Sequence, residues 1–274
     1  MQNAIISFPM FGLVLNPPSG FSVFGFEIHF YGLFLGLGLL MGAVYGLKRC
    51  QDFGLTQDNV LDMLIFAVPS AVIFSRLYYI AFDLGTYLRD PLRIITGLRT
   101  GGLTIYGVVF GAVLGAWICS RIKKIDFISF VDMGAMGLLI GQAIGRWGNF
   151  MNRELFGVPT NLPWRMGLTW GGQTIYVHPT FLYESLWNTL GLILLHTYSK
   201  KGNRPYKGQL FIFYLGWYGL GRTWIELIRD PSQNMFLFWI PINLLIAVLC
   251  VIGAVVANYL LTKRAKAKDT ADEA

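Results

Sequence analysis

Seven apolar runs set the terms for this chain. They lie near residues 30–47, 59–82, 103–120, 129–147, 181–198, 208–228 and 236–261, each bounded by charge or by Gly and Pro and each about as long as a bilayer is thick. In hydrocarbon a backbone must satisfy its own hydrogen bonds, and runs of this length do so as helices. With 54% hydrophobic and only 14% charged residues, and a mean hydropathy of +0.53, a water-soluble core could not bury them all. The expected fold is an all-α integral membrane protein of about seven transmembrane helices. Residues 1–262 read as a single polytopic membrane domain, with a folded external loop region at 148–179 and a disordered cytoplasmic tail at 263–274.

Charge placement orients the bundle. All nine lysines fall after the first, third, fifth and seventh runs, at Lys48, Lys123, Lys124, Lys200, Lys201, Lys207, Lys263, Lys266 and Lys268. The positive-inside rule makes those segments cytoplasmic, so the N-terminus is expected outside and the C-terminus inside. The net charge of +7 is dispersed between apolar runs, which speaks for topology and against nucleic acid. Residues 1–28 lack a basic n-region and hold Pro9, Pro17 and Pro18, so the first span is expected to direct insertion. Cys50, Cys119 and Cys250 are far apart and form no CxxC pair, so neither a disulfide framework nor a metal site is expected.

Arginines break the pattern. Arg76, Arg89, Arg93, Arg99, Arg146, Arg153, Arg165, Arg222 and Arg229 lie within spans or on the face opposite the lysines. Arg89, Arg93 and Arg99 run against the orientation rule. In the sixth run Tyr218, Arg222, Glu226 and Arg229 follow an i, i+4, i+8, i+11 progression and form one polar stripe. An internal Arg222–Glu226 pair would account for two of the charges and leave Arg229 over. Gln142, Arg146 and Asn149 share a face at the end of the fourth run. Guanidinium forks match phosphate better than ammonium does, so Arg146 and Arg222, at similar outer depth on neighbouring spans, are expected to clamp a phosphate at headgroup level. Snorkelling to the headgroups is the plainer explanation of Arg146 alone. The loop ends His178-Pro-Thr-Phe-Leu-Tyr183-Glu184, where a carboxylate enters the fifth span and needs a partner, with Arg76 of the second span one candidate.

Other features are less specific. Glycines four apart at Gly38, Gly42 and Gly46, at Gly107, Gly111 and Gly115, and at Gly137, Gly141 and Gly145 allow close helix approach and identify no function. Pro69 is expected to kink the second span. Trp147, Trp164 and Trp170 suit the bilayer interface. The glycine-rich stretch Thr100–Gly107 allows a ligand close to backbone, and His29 reads first as an interface residue.

The string Gly145-Arg-Trp-Gly-Asn-Phe-Met-Asn-Arg-Glu-Leu-Phe-Gly157, continuing to Pro159 and Thr160, resembles the signature of bacterial prolipoprotein diacylglyceryl transferases. The resemblance extends to His29-Phe-Tyr31-Gly32, Gly101-Gly102, Gln142, His178 to Glu184, and Arg222 to Arg229, so it covers nearly the whole chain in order. It implies a seven-span inner-membrane enzyme that moves the diacylglyceryl group of phosphatidylglycerol onto the lipobox cysteine of a prolipoprotein signal peptide. The product is a thioether, glycerol phosphate is released, and no metal or organic cofactor is implied.

By the same resemblance Tyr31, Asn149, Glu154, Gly157, Arg222 and Glu226 match positions important in the family. Arg146 and Arg222 would stabilise the leaving phosphate, Asn149 would contact the headgroup, Glu226 and Glu154 would orient arginines, and Gly157 would serve a loop geometry that a side chain would spoil. Arg229, Arg76, Gln142, His178, Tyr183 and Glu184 join the expected substrate-binding set. Tyr106 stands where many family members carry a histidine proposed as the thiol's base. A phenol with a pKa near ~10 is a poor base at neutral pH. Tyr106 is therefore expected to orient lipid or thiol by hydrogen bonding while the arginine field favours the thiolate. The loop is expected to dock the precursor peptide.

A transporter would often show an internal repeat with two broken spans, and no such pairing is evident. A purely structural protein would pair every arginine, whereas Arg146, Arg222 and Arg229 read as uncompensated. An intramembrane protease would need paired aspartates or a nucleophile–base set within the spans. Asp62 and Asp132 sit near the predicted cytoplasmic ends, and Ser75 has no intramembrane histidine beside it.

Overall fold

Each of the seven apolar runs contains a long helix in a computed structural model of the chain, which describes residues 4–82, 84–90, 104–202, 204–233, 236–237 and 239–272. In order the helices are α1 (Phe30–Arg49), α2 (Gln57–Phe82), a short α3 (Leu84–Arg89), α4 (Ile105–Lys123), α5 (Phe127–Asn152), α6 (Thr180–Lys200), α7 (Gln209–Ile228) and α8 (Ile242–Asp272). Five of the long helices, α1, α2, α4, α5 and α8, are long and apolar enough to cross a membrane by length and composition. The other two, α6 and α7, carry Glu184, Asn188, Arg222 and Glu226, which lower their mean hydropathy. Arg93, Arg99, Gly101 and Gly102 lie outside the described residues.

Two expectations change. The fold is mostly rather than wholly helical, because the N-terminal segment and the long loop form strands. Strands β1 (Ile5–Phe8), β2 (Leu13–Leu15), β5 (Met166–Trp170) and β6 (Gln173–Val177) make an antiparallel sheet in the order β2-β1-β5-β6, and β3 (Gly20–Val23) pairs with β4 (Phe26–His29). A further two-stranded pair joins β7 (Phe236–Leu237) to β8 (Ile240–Pro241) ahead of α8. In addition, the helix of the seventh run continues to Asp272, through the residues read as a disordered tail.

Contacts divide the chain into two compact units, Met1–Tyr45 with Asp132–Ala274, and Gly46–Val131, where the sequence reads as one domain. In the second unit α2 and α4 lie backbone to backbone along a glycine stripe. A Cβ added at Gly107 would fall 2.5 Å from Ser75 Cα, and one at Gly115 would fall 2.5 Å from the Phe66 carbonyl oxygen. No side chain fits, so the glycines set the helix separation. At the α4 N-terminus the Thr104 amide donates to Ser75 Oγ (2.7 Å), Ser75 Oγ donates to the Thr104 carbonyl (3.0 Å), and Thr104 Oγ1 donates to the Ser75 carbonyl (3.3 Å). The first of these bonds satisfies the Thr104 amide, which the helix end would otherwise leave open.

In the first unit α1 meets α5 in the same manner, with Gly38 against Gly141 and Gly42 against Gly137, each at 3.0 Å from an added Cβ. Helices α6 and α7 cross on a reciprocal tryptophan pair. The rings of Trp187 and Trp217 stack at 4.2 Å, and each indole N–H donates to the other residue's carbonyl at 3.1 Å. Gly191 and Gly221 leave room for the two rings. Asp132 anchors the start of α7 by accepting the Gly208 amide at 2.7 Å and the Phe211 amide at 3.0 Å, so a carboxylate meets the positive end of the helix.

The four-stranded sheet packs its apolar face on the end of α5 and the start of α6. Ala4, Ile6, Met166, Leu168 and Val177 form a small core with Phe150, Phe156 and Phe181. Arg153 fastens the N-terminal segment to this core. Its Nε donates to the Ala4 carbonyl (3.0 Å), Nη1 to the Met151 carbonyl (2.8 Å) and Nη2 to Asn16 Oδ1 (2.9 Å). Burial holds its pKa below the usual arginine value.

Candidate active site

Where α5 ends, α6 begins and α7 ends, the polar groups of three helices meet. Glu184 is one residue past the first turn of α6, and its two carboxylate oxygens are used differently. Oε1 pairs with Arg229 Nη2 at 2.9 Å, while Oε2 pairs with Arg146 Nη2 at 2.7 Å and lies 3.5 Å from Arg222 Nη1. Glu226 pairs with Arg222 at 3.0 Å and with Arg229 at 3.8 Å, and it accepts from Asn243 Nδ2 at 3.4 Å. The Arg222, Arg229, Glu184 and Glu226 side chains are 10%, 3%, 9% and 0% exposed, so these charges are largely removed from bulk solvent. Burial on this scale is tolerable because each charge has an opposite partner within 4 Å.

The expectation of uncompensated arginines is therefore corrected: Arg146, Arg222 and Arg229 all pair with Glu184. The carboxylate entering α6 takes these three as its partners. Arg76, one candidate for that pairing, lies in the other unit, buried, with its guanidinium over the rings of Tyr79 (5.6 Å) and Tyr87 (5.4 Å). The Arg222–Glu226 pair exists but is one link of a larger network.

A second chain of bonds extends from Arg146. Its Nη1 donates to Asn149 Oδ1 at 3.1 Å, and Asn149 Nδ2 donates to Glu154 Oε1 at 2.8 Å, so Glu154 acts on the arginine through an amide. Glu154 lies between Arg153 (φ +51°) and Leu155 (φ +55°), two left-handed residues that turn the chain sharply out of α5. Tyr31 of α1 packs against Gly148, where an added Cβ would sit 2.8 Å from its ring. Gly157 threads between the end of α7 and His178. Its amide donates to the His178 carbonyl at 3.0 Å, and an added Cβ would fall 2.6 Å from the Ile228 carbonyl oxygen and 2.7 Å from His178 Cβ. The His178 ring meets the Tyr183 hydroxyl at 3.3 Å, and that hydroxyl accepts from Trp164 Nε1 at 2.8 Å. Burial lowers the His178 pKa, which favours the neutral ring.

A cleft opens onto this network, lined by Gln142, Arg146, Glu184, Trp187, Asn188, Tyr218, Gly221, Arg222 and Ile225. Arg146 and Arg222 face it, whereas Arg229 is not among its lining. Gln142 donates to Tyr214 OH at 2.8 Å, and its buried carbonyl oxygen meets no donor among the described residues. Trp187 and Asn188 were missed in the sequence, although their i+3 and i+4 spacing from Glu184 puts them on its helix face. Asn243 had no such signal. Tyr106 lies in the other unit, at the start of α4, with its ring 6.2 Å from that of Tyr78. Among the described residues no cluster of three or more His, Cys, Asp or Glu side chains could hold a metal.

Buried guanidiniums gathered on one carboxylate, beside a cleft and among long apolar helices, define an integral membrane protein with a polar site between its helices. The chain belongs to the prolipoprotein diacylglyceryl transferase family, whose model matches residues 18–261. It is similar to the phosphatidylglycerol–prolipoprotein diacylglyceryl transferase of Clostridioides difficile, at 37% identity over 246 residues, covering 90% of this chain and 96% of that protein. The protein of the same name from Bacillus cytotoxicus is 40% identical over 215 residues, 76% of this chain and 78% of its own. That from Finegoldia magna is 35% identical over 236 residues, 86% and 92% respectively.

Proposed function

We propose that this chain transfers the diacylglyceryl group of phosphatidylglycerol to the lipobox cysteine of a prolipoprotein, and that the cleft beside Arg146 and Arg222 is where the lipid phosphate reacts. The enzyme is a transferase of its family and acts in lipoprotein biosynthesis. The observation that carries the site assignment is the convergence of Arg146 and Arg222 on one Glu184 oxygen at the wall of the cleft. In the reaction the cysteine sulfur bonds to the glyceryl carbon as that carbon's bond to the phosphate oxygen breaks. The thiol loses its proton, the phosphate keeps the electron pair, and glycerol phosphate leaves.

Guanidinium donors aimed at the departing oxygen stabilise the charge that develops on it. The same positive field favours thiolate over thiol. Asn149, backed by Glu154, holds Arg146 toward the cleft, and Glu226 holds Arg222. The open carbonyl oxygen of Gln142 offers an acceptor to a headgroup hydroxyl. Tyr31, Gly157, His178 and Tyr183 frame the region through which the peptide approaches, and Arg229 anchors the carboxylates from behind. Tyr106 is assigned hydrogen bonding to lipid or thiol, and Arg76 a contact to lipid.

In this reading seven crossings put the termini on opposite sides, with the N-terminus outside, the C-terminus in the cytoplasm and the arginine cluster toward the outer face. The lysine distribution supports this orientation. Glu184 precedes Lys200 by sixteen residues of α6, about 24 Å along a helix, so the cluster and the lysine-rich linker lie at opposite ends. Purified protein incubated with phosphatidylglycerol and a lipobox peptide should add a diacylglyceryl mass to the cysteine. No mass gain across lipid compositions would overturn the assignment. Cysteines introduced at Gly171 and at Lys201 should label from opposite sides of the membrane in cells; labelling of both from one side would refute the orientation.

A further inference from the structure

The buried network has a definite charge. Arg146, Arg222 and Arg229 contribute three positive charges and Glu184 and Glu226 two negative ones, so the five side chains carry one net positive charge. Glu154 reaches them only through Asn149 and is itself exposed, where solvent screens it. An incoming phosphodiester carries one negative charge and leaves the cleft neutral. A phosphomonoester carries nearly two above its second ionisation, at a pKa of about 6, and would leave a net negative charge in a poorly solvated place.

We infer that Glu184 is a specificity-determining residue: by cancelling one of the three guanidiniums it tunes the cleft to the single charge of a phosphodiester lipid and against a dianionic phosphomonoester lipid. The inference rests on Arg146 and Arg222 holding the lipid phosphate. The division of labour in the carboxylate supports it. Oε1 is occupied by Arg229 behind the cleft, and Oε2 lies between the two arginines that face it. Glu184 therefore sits against the same donors the phosphate would use, and its charge is felt there directly.

The test is competition between phosphatidylglycerol and phosphatidic acid for the full-length protein in detergent, from pH 5 to pH 8. Across that range the phosphomonoester takes on its second charge while the phosphodiester keeps one. The wild type should lose affinity for phosphatidic acid relative to phosphatidylglycerol by tenfold or more as pH rises. Glu184→Gln, which keeps shape and removes the charge, should abolish that loss, and Glu226→Gln should reduce it. A wild-type ratio that ignores pH, or a Glu184→Gln ratio that falls as the wild type's does, would overturn the inference. If Glu184→Gln does not fold, the wild-type profile alone decides. Unchanged phosphatidylglycerol binding in Arg222→Ala would instead remove the underlying clamp. Weakened binding there, together with a ratio indifferent to pH, would retain the clamp and reject the charge selection.

Discussion

A carboxylate buried among helices is costly to leave alone, and Glu184 meets three guanidiniums where one would neutralise it. In the proposed reaction that surplus of arginine serves the substrate phosphate. Replacing Arg222 or Arg146 with alanine would then remove donors aimed at developing charge, and it strands part of Glu184's charge. Turnover of a lipobox peptide should fall about 100-fold or more in each, measured as kcat/KM. At Gly157 the contacts are steric. An added methyl group would collide with the Ile228 carbonyl and with His178, so Gly157→Ala should cost roughly 1–3 kcal/mol and lower the melting temperature. Tyr106→Phe should reduce turnover with the melting temperature unchanged, and full activity would refute any essential role for its hydroxyl. His178 supplies a pH dependence. Its folded pKa lies below the unfolded value because burial disfavours the charged ring. Between those two values the unfolded state binds more protons, so this contribution is complete above a pH of about 6.5 and is lost as pH falls toward the folded pKa. Protection of the Gly157 and Val158 amides, measured relative to the exchange rate of an unstructured chain at the same pH, should fall on acidification, and His178→Gln should flatten the response.

Between elements, close backbone contact does most of the positioning. The Gly107, Gly111 and Gly115 face admits α2 without room for a methyl group, and the Ser75–Thr104 bonds fix the register at one end. Ser75→Ala should cost about 1–3 kcal/mol, read as a lower midpoint in thermal unfolding, because it strands the Thr104 amide. The helices were legible because a run of twenty apolar residues has one solution in lipid, and their ends fall within a few residues of the expected bounds in α1, α2, α6 and α7. The strands were less legible, although one signal was available. Trp170 and Gln173 pair across Gly171 and Gly172, both at positive φ, the two-residue turn that a Gly-Gly pair favours. The pairing of β1 with β5 joins residues 160 positions apart, and no local pattern announces it. At the site, the polar stripe of α7 and the face shared by Gln142, Arg146 and Asn149 could be read from helical period. The focus on Glu184 could not, because it depends on how three helices meet. For the same reason Arg229 read as surplus when it is the residue behind the carboxylate.

For the whole molecule, long apolar helices, a small sheet packed on one end of α5 and α6, and a charged network where α5, α6 and α7 meet form a division between anchoring and the proposed chemistry. The helices supply the low-dielectric surroundings in which a guanidinium acts strongly on developing charge. The N-terminal strand completes the sheet and is held by Arg153. Arg153→Ala should therefore loosen residues 4–16, with proteolysis there accelerating before global unfolding. The central claim is that Arg146 and Arg222, gathered by Glu184, stabilise the departing phosphate. It is tested most directly by single-turnover transfer from phosphatidylglycerol to a lipobox peptide, with mass detection of the thioether, in the wild type, Arg146→Ala, Arg222→Ala and Glu184→Gln at saturating lipid. The account predicts that the chemical step slows about 100-fold or more in both arginine variants while the protein stays folded. Wild-type rates of that step in either arginine variant would contradict it.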